Sequence, residues 1–291
     1  MSGEVAASPE AHPGGRAAQQ YGTIVVVGGG CYGSYYVRQL RRAVAAGALG
    51  YRRMLVVDRD PACRVAAELA AGALGGPPRD IHDASAAPTG SHPSRAPEVV
   101  AAQWTDFFER YLAEADGDPS AAADAIVPSP LMPHLMADWL LARARGRWPD
   151  RQVRSGELVS EPNVPWQRSS PDGTHYVSFA EWMCPVNCVE PAMCPEIRGP
   201  RTWSLPPALR AYVAAERARG RALAGPVIFH CRHRAYGVGM FDTADVLAAD
   251  RLVAEVGSRG AAEVLIGTTS HCHGAVRVLS VGAPSPTSTT S

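Results

Sequence analysis

Cys184, Cys188 and Cys194 fall within eleven positions of the stretch "EWMCPVNCVEPAMCP" (181–195), and two of them are followed directly by proline. Thiolates are soft metal ligands, and a Pro-rich segment without periodicity offers three of them little core to pack into. The spacing is C-x3-C-x5-C. Structural zinc sites commonly use C-x2-C pairs, whose short turn aims both thiolates at one tetrahedral ion, and this segment has no such pair. Iron–sulfur clusters accept more spacings, because each ligand reaches a different iron. The leading expectation is therefore an iron–sulfur cluster of the 4Fe–4S kind. A zinc site and a set of reduced, structural or redox-active thiols stay open, since free cysteine is often simply buried.

Proline after a ligating cysteine also occurs in the bacterial ferredoxin run, but that run alternates x2 spacings. The pattern differs as well from the C-x3-C-x2-C of radical S-adenosylmethionine enzymes, so the cysteines identify no cluster family. A fourth ligand has two equal candidates, Cys231 in "HCRHR" (230–234) and Cys272 in "SHCHG" (270–274). With three cysteine ligands, one iron would be open to substrate and act as a Lewis acid. His230, His233, His271 and His273 are then candidates for proton transfer, because imidazole titrates near neutral pH. Strand alternation means that the two histidines of each pair need not point the same way.

A second chemical signal lies upstream. "GGGCYG" places Gly28, Gly30 and Gly33 in G-x-G-x-x-G order, directly after the apolar run "TIVVVGG" and opening a helical pattern in which Val37, Leu40 and Val44 recur. Glycine permits a tight turn and close backbone approach, and the helix N-terminus supplies free N–H groups and partial positive charge to phosphate. Asp58 ends the next Val-rich run, "RMLVVD", about where a carboxylate would meet ribose hydroxyls. Over about residues 22–70 the chain resembles the nucleotide-binding half of Rossmann proteins, in particular the NAD-binding domains of potassium-uptake regulators and dehydrogenases. That resemblance implies a pyrophosphate over Gly28, Gly30 and Gly33 and a ribose near Asp58. NAD is favoured over NADP, although Arg59 beside Asp58 could meet a 2′-phosphate, and S-adenosylmethionine is a third option. A glycine turn that packs and binds nothing remains the plain alternative. Cys31, inside the turn, is expected to pack rather than react, and Cys63 to be buried and inert.

The elements that must position these groups alternate. Strands are expected at 23–29, 53–58, 124–130, 226–230, 262–267 and 275–281. Helices are expected from Cys31, near Pro61, at 103–115, 133–145, 206–220 and 242–258. The fold class is thus α/β, a Rossmann-like, doubly wound, mostly parallel sheet interrupted by an irregular Cys-rich insertion. Residues 1–20 and 283–291 read as disordered tails, 21–146 as the nucleotide-binding part, 147–205 as the insertion and 206–282 as the rest of the same sheet. Only "HYVSFA" (175–180) looks strand-like inside the insertion. The stretch 72–98 reads as a long loop, with His82 and His92 solvated. If the strands are parallel, Cys31, Asp58, "PSP", "HCRHR" and "TTSHCHG" all gather at the sheet's carboxyl edge.

With 28 basic and 28 acidic residues among 291, neither nucleic acid nor an anionic membrane is implied by charge. No apolar run approaches the roughly 20 residues that cross a bilayer, and the first residues lack a hydrophobic signal core. The expected compartment is the cytoplasm, where thiols stay reduced, and seven cysteines is an odd number for a disulfide framework. Heavy use of Ala, Arg, Gly and Pro has the look of a GC-rich bacterial genome. The expected protein is an iron–sulfur Rossmann-like enzyme, redox or cluster-dependent, acting with a nucleotide and a small-molecule substrate or redox partner. Nicotinamide, a two-electron carrier, usually needs a flavin to couple to a one-electron cluster, and no flavin motif is evident. A nucleotide- or redox-sensing regulator and a zinc-stabilised S-adenosylmethionine-dependent methyltransferase are the alternatives.

Overall fold

Ile24, Val25, Val26 and Val27 are all buried, yet they serve two different cores: Ile24 and Val26 face one, Val25 and Val27 the other. A strand buried on both faces has to lie inside a sheet covered by helices on each side, which is why its sequence is an unbroken apolar run. The computed structural model describes residues 18–74, 96–182, 184–185 and 188–284. His82, His92 and most of both expected tails lie outside the described residues.

The central strand is β1 (Gln19–Val27), followed by α1 (Cys31–Ala45), β2 (Leu49–Asp58) and α2 (Arg64–Ala70). After the undescribed segment come β3 (Glu98–Ala101), α3 (Trp104–Asp116), β4 (Ala125–Val127) and α4 (Leu135–Arg147). β3, β2, β1 and β4 lie side by side in that order, all parallel. The expected strands and helices of this half are present within a few residues of their expected bounds. β3 is an addition, starting where the long loop was expected to end.

The second half departs from expectation. A mostly parallel single sheet was expected; there are two sheets, and the fold is mixed α/β. β5 (Val153–Gly156), β6 (Trp166–Ser169) and β7 (His175–Ser178) come from the segment read as an irregular insertion. The hairpin β8 (Met193–Cys194) and β9 (Gly199–Pro200) and then α5 (Leu205–Ala218) follow. β10 (Leu223–His230), β13 (Ala262–Thr269) and β14 (His273–Val281) build the second sheet, in the order β10-β13-β14-β7-β6, with β5 also paired to β14. Only β10 and β13 are parallel in it. Between them β11 (Arg232–Ala235) and β12 (Val238–Asp242) return to the first sheet, β12 antiparallel to β4, and α6 (Thr243–Ser258) leads back. Residues 206–282 are therefore shared between the sheets. Four-residue strands such as "WQRS" carry no readable alternation, so their pairing comes from the second sheet and not from their own pattern.

Side-chain burial gives the layers. α1 packs on one face of the first sheet through Val37, Leu40 and Ala43. α3, α4 and α6 fill the space between the sheets, Phe108, Leu140 and Val246 sharing a core with Val25 of β1 and Phe229 of β10. α5 covers the far face of the second sheet through Leu205, Leu209 and Val213. Among the described residues no helix is long and apolar enough to cross a membrane.

Arg277 of β14 is the largest charge inside this assembly, 8% exposed. Its Nε donates to Thr174 Oγ1 at 2.7 Å, and its guanidinium pairs with Asp138 of α4 and with Asp172. One side chain thus ties a helix to the sheet. An Arg277→Met variant leaves two carboxylates facing each other, part-exposed. It is expected to lose about 2–3 kcal/mol of stability in urea unfolding.

Candidate functional site

The cysteine loop is held to the second sheet by Glu190. Its carboxylate accepts the backbone N–H of His271 at 3.0 Å and of Cys272 at 3.1 Å, in the tight turn between β13 and β14. Its own N–H donates to Cys188 Sγ at 3.4 Å, and its carbonyl accepts from Arg201. Glu190 sits at φ 49°, a left-handed conformation uncommon for a residue with a side chain, so the clasp is imposed by its partners. Burial works against the charge on Glu190, but hydrogen bonds from Ser270, His271 and Cys272 and the charge of His233 hold its carboxyl below the usual range.

Around this clasp Cys184, Cys188, Cys194 and Cys272 act on one another electrostatically. Burial pushes the Cys184 thiol up to about 11, with the neighbouring Cys188 and Cys194 adding to the rise. Burial likewise pushes Cys272 to about 12, with Glu190 and Cys184 adding to it. Cys184 is therefore the common neighbour of Cys188, Cys194 and Cys272. Polar hydrogens also converge on the sulfurs: Trp203 Nε1 donates to Cys272 Sγ at 3.3 Å, as Glu190 N–H does to Cys188. Trp203 stacks on Phe179 and meets Trp182 edge-on, so the sulfurs are roofed by aromatic rings.

The four histidines divide. His273 Nε2 lies 3.4 Å from Cys184 Sγ, and its Nδ1 is 2.9 Å from Ser178 Oγ. Because Ser178 gives its hydroxyl proton to Ala180 O, it accepts from His273 Nδ1–H, which turns the Nε2 lone pair toward Cys184. His233 Nδ1 meets the carbonyl of Cys188. His230 and His271 face elsewhere, ring against ring, centroids 4.7 Å apart. His230 and His233, three apart, thus serve different places, and so do His271 in the turn and His273 at the start of β14.

Cys231 shares the Glu190 charge with Cys272, but no other cysteine is among the groups that act on it. Its thiol, pushed up to about 12 first by burial and then by the Glu190 charge, reaches Phe229 O at 3.9 Å and packs near Gly239 and Tyr36. Cys63 is buried against Gly29, as expected, whereas Cys31 is exposed and not packed. As placed, no group of three or more His, Cys, Asp or Glu among the described residues is arranged to hold a single metal ion.

At the glycine turn, Gly28 has φ +88° and Gly33 abuts the Gly28 carbonyl, so both positions demand glycine. Gly30 caps α1 without any side-chain hydrogen bond, and no acidic residue occupies the first turn. Asp58 accepts Gly29 N–H at 2.7 Å and Asp60 N–H at 2.9 Å. The crevice beyond the carboxyl ends of β1 and β4 is apolar and small, about 10 Å³, closed by Pro128, Met132 and Met136. Asp58 and the glycines share an edge with "PSP"; the cysteines and "SHCHG" lie at the second sheet, which the expected single edge had merged with it.

Residues 136–282, half of the chain, match a family model described as the C-terminal domain of an uncharacterized protein, AF_1314_C. The chain belongs to the AF_1314_C family. No curated protein and no solved structure matches it. The AF_1314_C region starts inside α4 and contains the second sheet, the clasp and all four converging cysteines, while the glycine turn lies ahead of it. Glu190 is the site residue that sequence reasoning missed; its only signal is a carboxylate lying between ligand-type cysteines.

Proposed function

We propose that Cys184, Cys188, Cys194 and Cys272 hold a 4Fe–4S cluster, and that the protein is a redox or cluster-dependent enzyme whose nucleotide rides on Gly28, Gly30 and Gly33. The observation that supports the reading is that Cys272, from a turn 78 positions after Cys194, and Cys188 of the loop each accept an N–H, from Trp203 and Glu190, while Cys184 acts electrostatically on Cys272. A single tetrahedral zinc needs its sulfurs within roughly 3.8 Å of one another, whereas a cubane takes each thiolate on a separate iron. Hydrogen bonds to sulfur and exclusion of water are also what set a cluster's potential.

For the nucleotide, the parallel order β3-β2-β1-β4 with a glycine turn after β1 supports the Rossmann-like reading. The open N-terminus of α1 suits phosphate, and Asp58 keeps acceptor capacity for a ribose hydroxyl beyond the two N–H groups it already holds. The nicotinamide half of NAD would have to displace Met132 from the closed crevice. Protein purified without oxygen is expected to absorb broadly near 400 nm, to bleach with dithionite and to bind NAD in a spectroscopic titration. A band unaffected by reductant would remove the redox reading, and indifference to NAD, NADP and S-adenosylmethionine would remove the nucleotide.

A further inference from the structure

Between the start of α5, the end of β10 and the first turn of α6 lies a polar cavity of about 280 Å³, separate from the cysteine cluster and from the glycine turn. Arg210 of α5 and Arg232 of β11 stand at its wall, both exposed, and neither has an ion-pair partner among the described residues. Asp245 of α6 is the one acidic group lining it, so the lining carries net positive charge. His230 also lines the wall, but its Nε2 is enclosed and does not open onto the cavity. The neighbouring His271 is fixed by Ser204 Oγ at 2.8 Å from its Nδ1.

The helix above contributes no N–H donors. Leu205 N–H is taken by His271 O at 2.9 Å, Pro206 and Pro207 have none, and Ala208 N–H turns back to Ser204 O. Recognition therefore falls to side chains: two planar guanidinium groups, matched to the oxygens of a carboxylate or phosphate.

We propose that this cavity binds a small oxyanion-bearing metabolite, its carboxylate or phosphate held between Arg210 and Arg232. The oxyanion site stands whether or not a cluster forms. Its use as the substrate pocket rests on the reading above, for His271 lines the cavity and the next residue, Cys272, belongs to the cysteine set.

Isothermal titration of the full chain with inorganic phosphate and, separately, with malonate tests the binding alone. At least one probe is expected to bind with a dissociation constant below about 1 mM, weakening about tenfold or more in Arg210→Ala and in Arg232→Ala. Arg251→Ala, a surface arginine paired with Asp116 away from the cavity, is expected to leave it unchanged. Tighter phosphate binding identifies a phosphate ester as the ligand class, and tighter malonate binding a carboxylate. No heat from either probe, or binding indifferent to both cavity arginines, overturns the proposal. Because both arginines are exposed, neither variant endangers the fold. Failure of cluster assembly with oxyanion binding intact would remove only the enzyme reading.

Discussion

Cys272→Ser is expected to strip the protein of most of its iron and acid-labile sulfide, whereas Cys231→Ser keeps both. The two cysteines look alike in sequence, each following a histidine with another one or two residues on. Their surroundings separate them. Cys272 is presented by a turn whose N–H groups are fixed on Glu190, and its sulfur receives the Trp203 N–H beside Cys184. Serine offers a harder, far less acidic oxygen that iron–sulfur sites disfavour, and losing a direct ligand exceeds the 10- to 100-fold penalties usual for outer partners. Cys231 is enclosed near Phe229 and Tyr36, so its serine variant should lose about 1 kcal/mol of stability at most from a buried hydroxyl, and no metal. Colorimetric iron and sulfide assays on the two purified variants read the difference. Equal loss in both, or loss only with Cys231→Ser, would move the fourth ligand.

Gly33→Ala is expected to be the most damaging change at the other end of the molecule. A methyl group there would lie 1.8 Å from the Gly28 carbonyl oxygen and 2.9 Å from its carbon, backbone atoms that cannot yield without moving β1 or α1. α1 buries Val37, Leu40 and Ala43 against the first sheet, so displacing it loosens a core face. The expected cost is about 3 kcal/mol, lowering the thermal midpoint by roughly 5 °C for a chain of this size. Gly30→Ala provides the contrast: its added methyl meets nothing within 4 Å, so stability should hold within about 1 kcal/mol. If phosphate rides on the turn, that same methyl obstructs the backbone's approach and nucleotide affinity falls while the fold stays intact. A melting curve with and without NAD separates the two effects. A Gly33→Ala protein as stable as its parent would show the turn to be looser than its geometry.

The first half of the fold was legible because its signals are local. Ile24 to Val27, Met54 to Val57 and the Val37, Leu40 and Val44 spacing each declare a buried strand or a one-sided helix without reference to anything distant. In the second sheet β7, β10, β13 and β14 fall on the expected runs, but β5 and β6 were not legible, because they are four-residue pieces that become strands only by pairing, β5 with β14 and β6 with β7. The return of β11 and β12 to the first sheet is set by the β4 edge, and nothing in "RHRA" or "VGMFD" announces it. The same holds for the site. Three cysteines were visible as a group from spacing, but choosing Cys272 over Cys231 needed the tertiary position of one turn, and Glu190 became visible only as the clasp that fixes it. The parting of His230 from His233, three residues on, accords with strand alternation, whereas the direction of His271, in the turn ahead of His273, and which histidines meet the thiols are set by tertiary structure.

The central claim is that four thiols from two distant segments hold one iron–sulfur cluster. Quantifying iron, acid-labile sulfide and zinc per chain in protein purified without oxygen tests it most directly. About four iron and four sulfide per chain, with little zinc, is the predicted result. Stoichiometric zinc without sulfide, or no metal at all in protein kept reduced throughout, would contradict it.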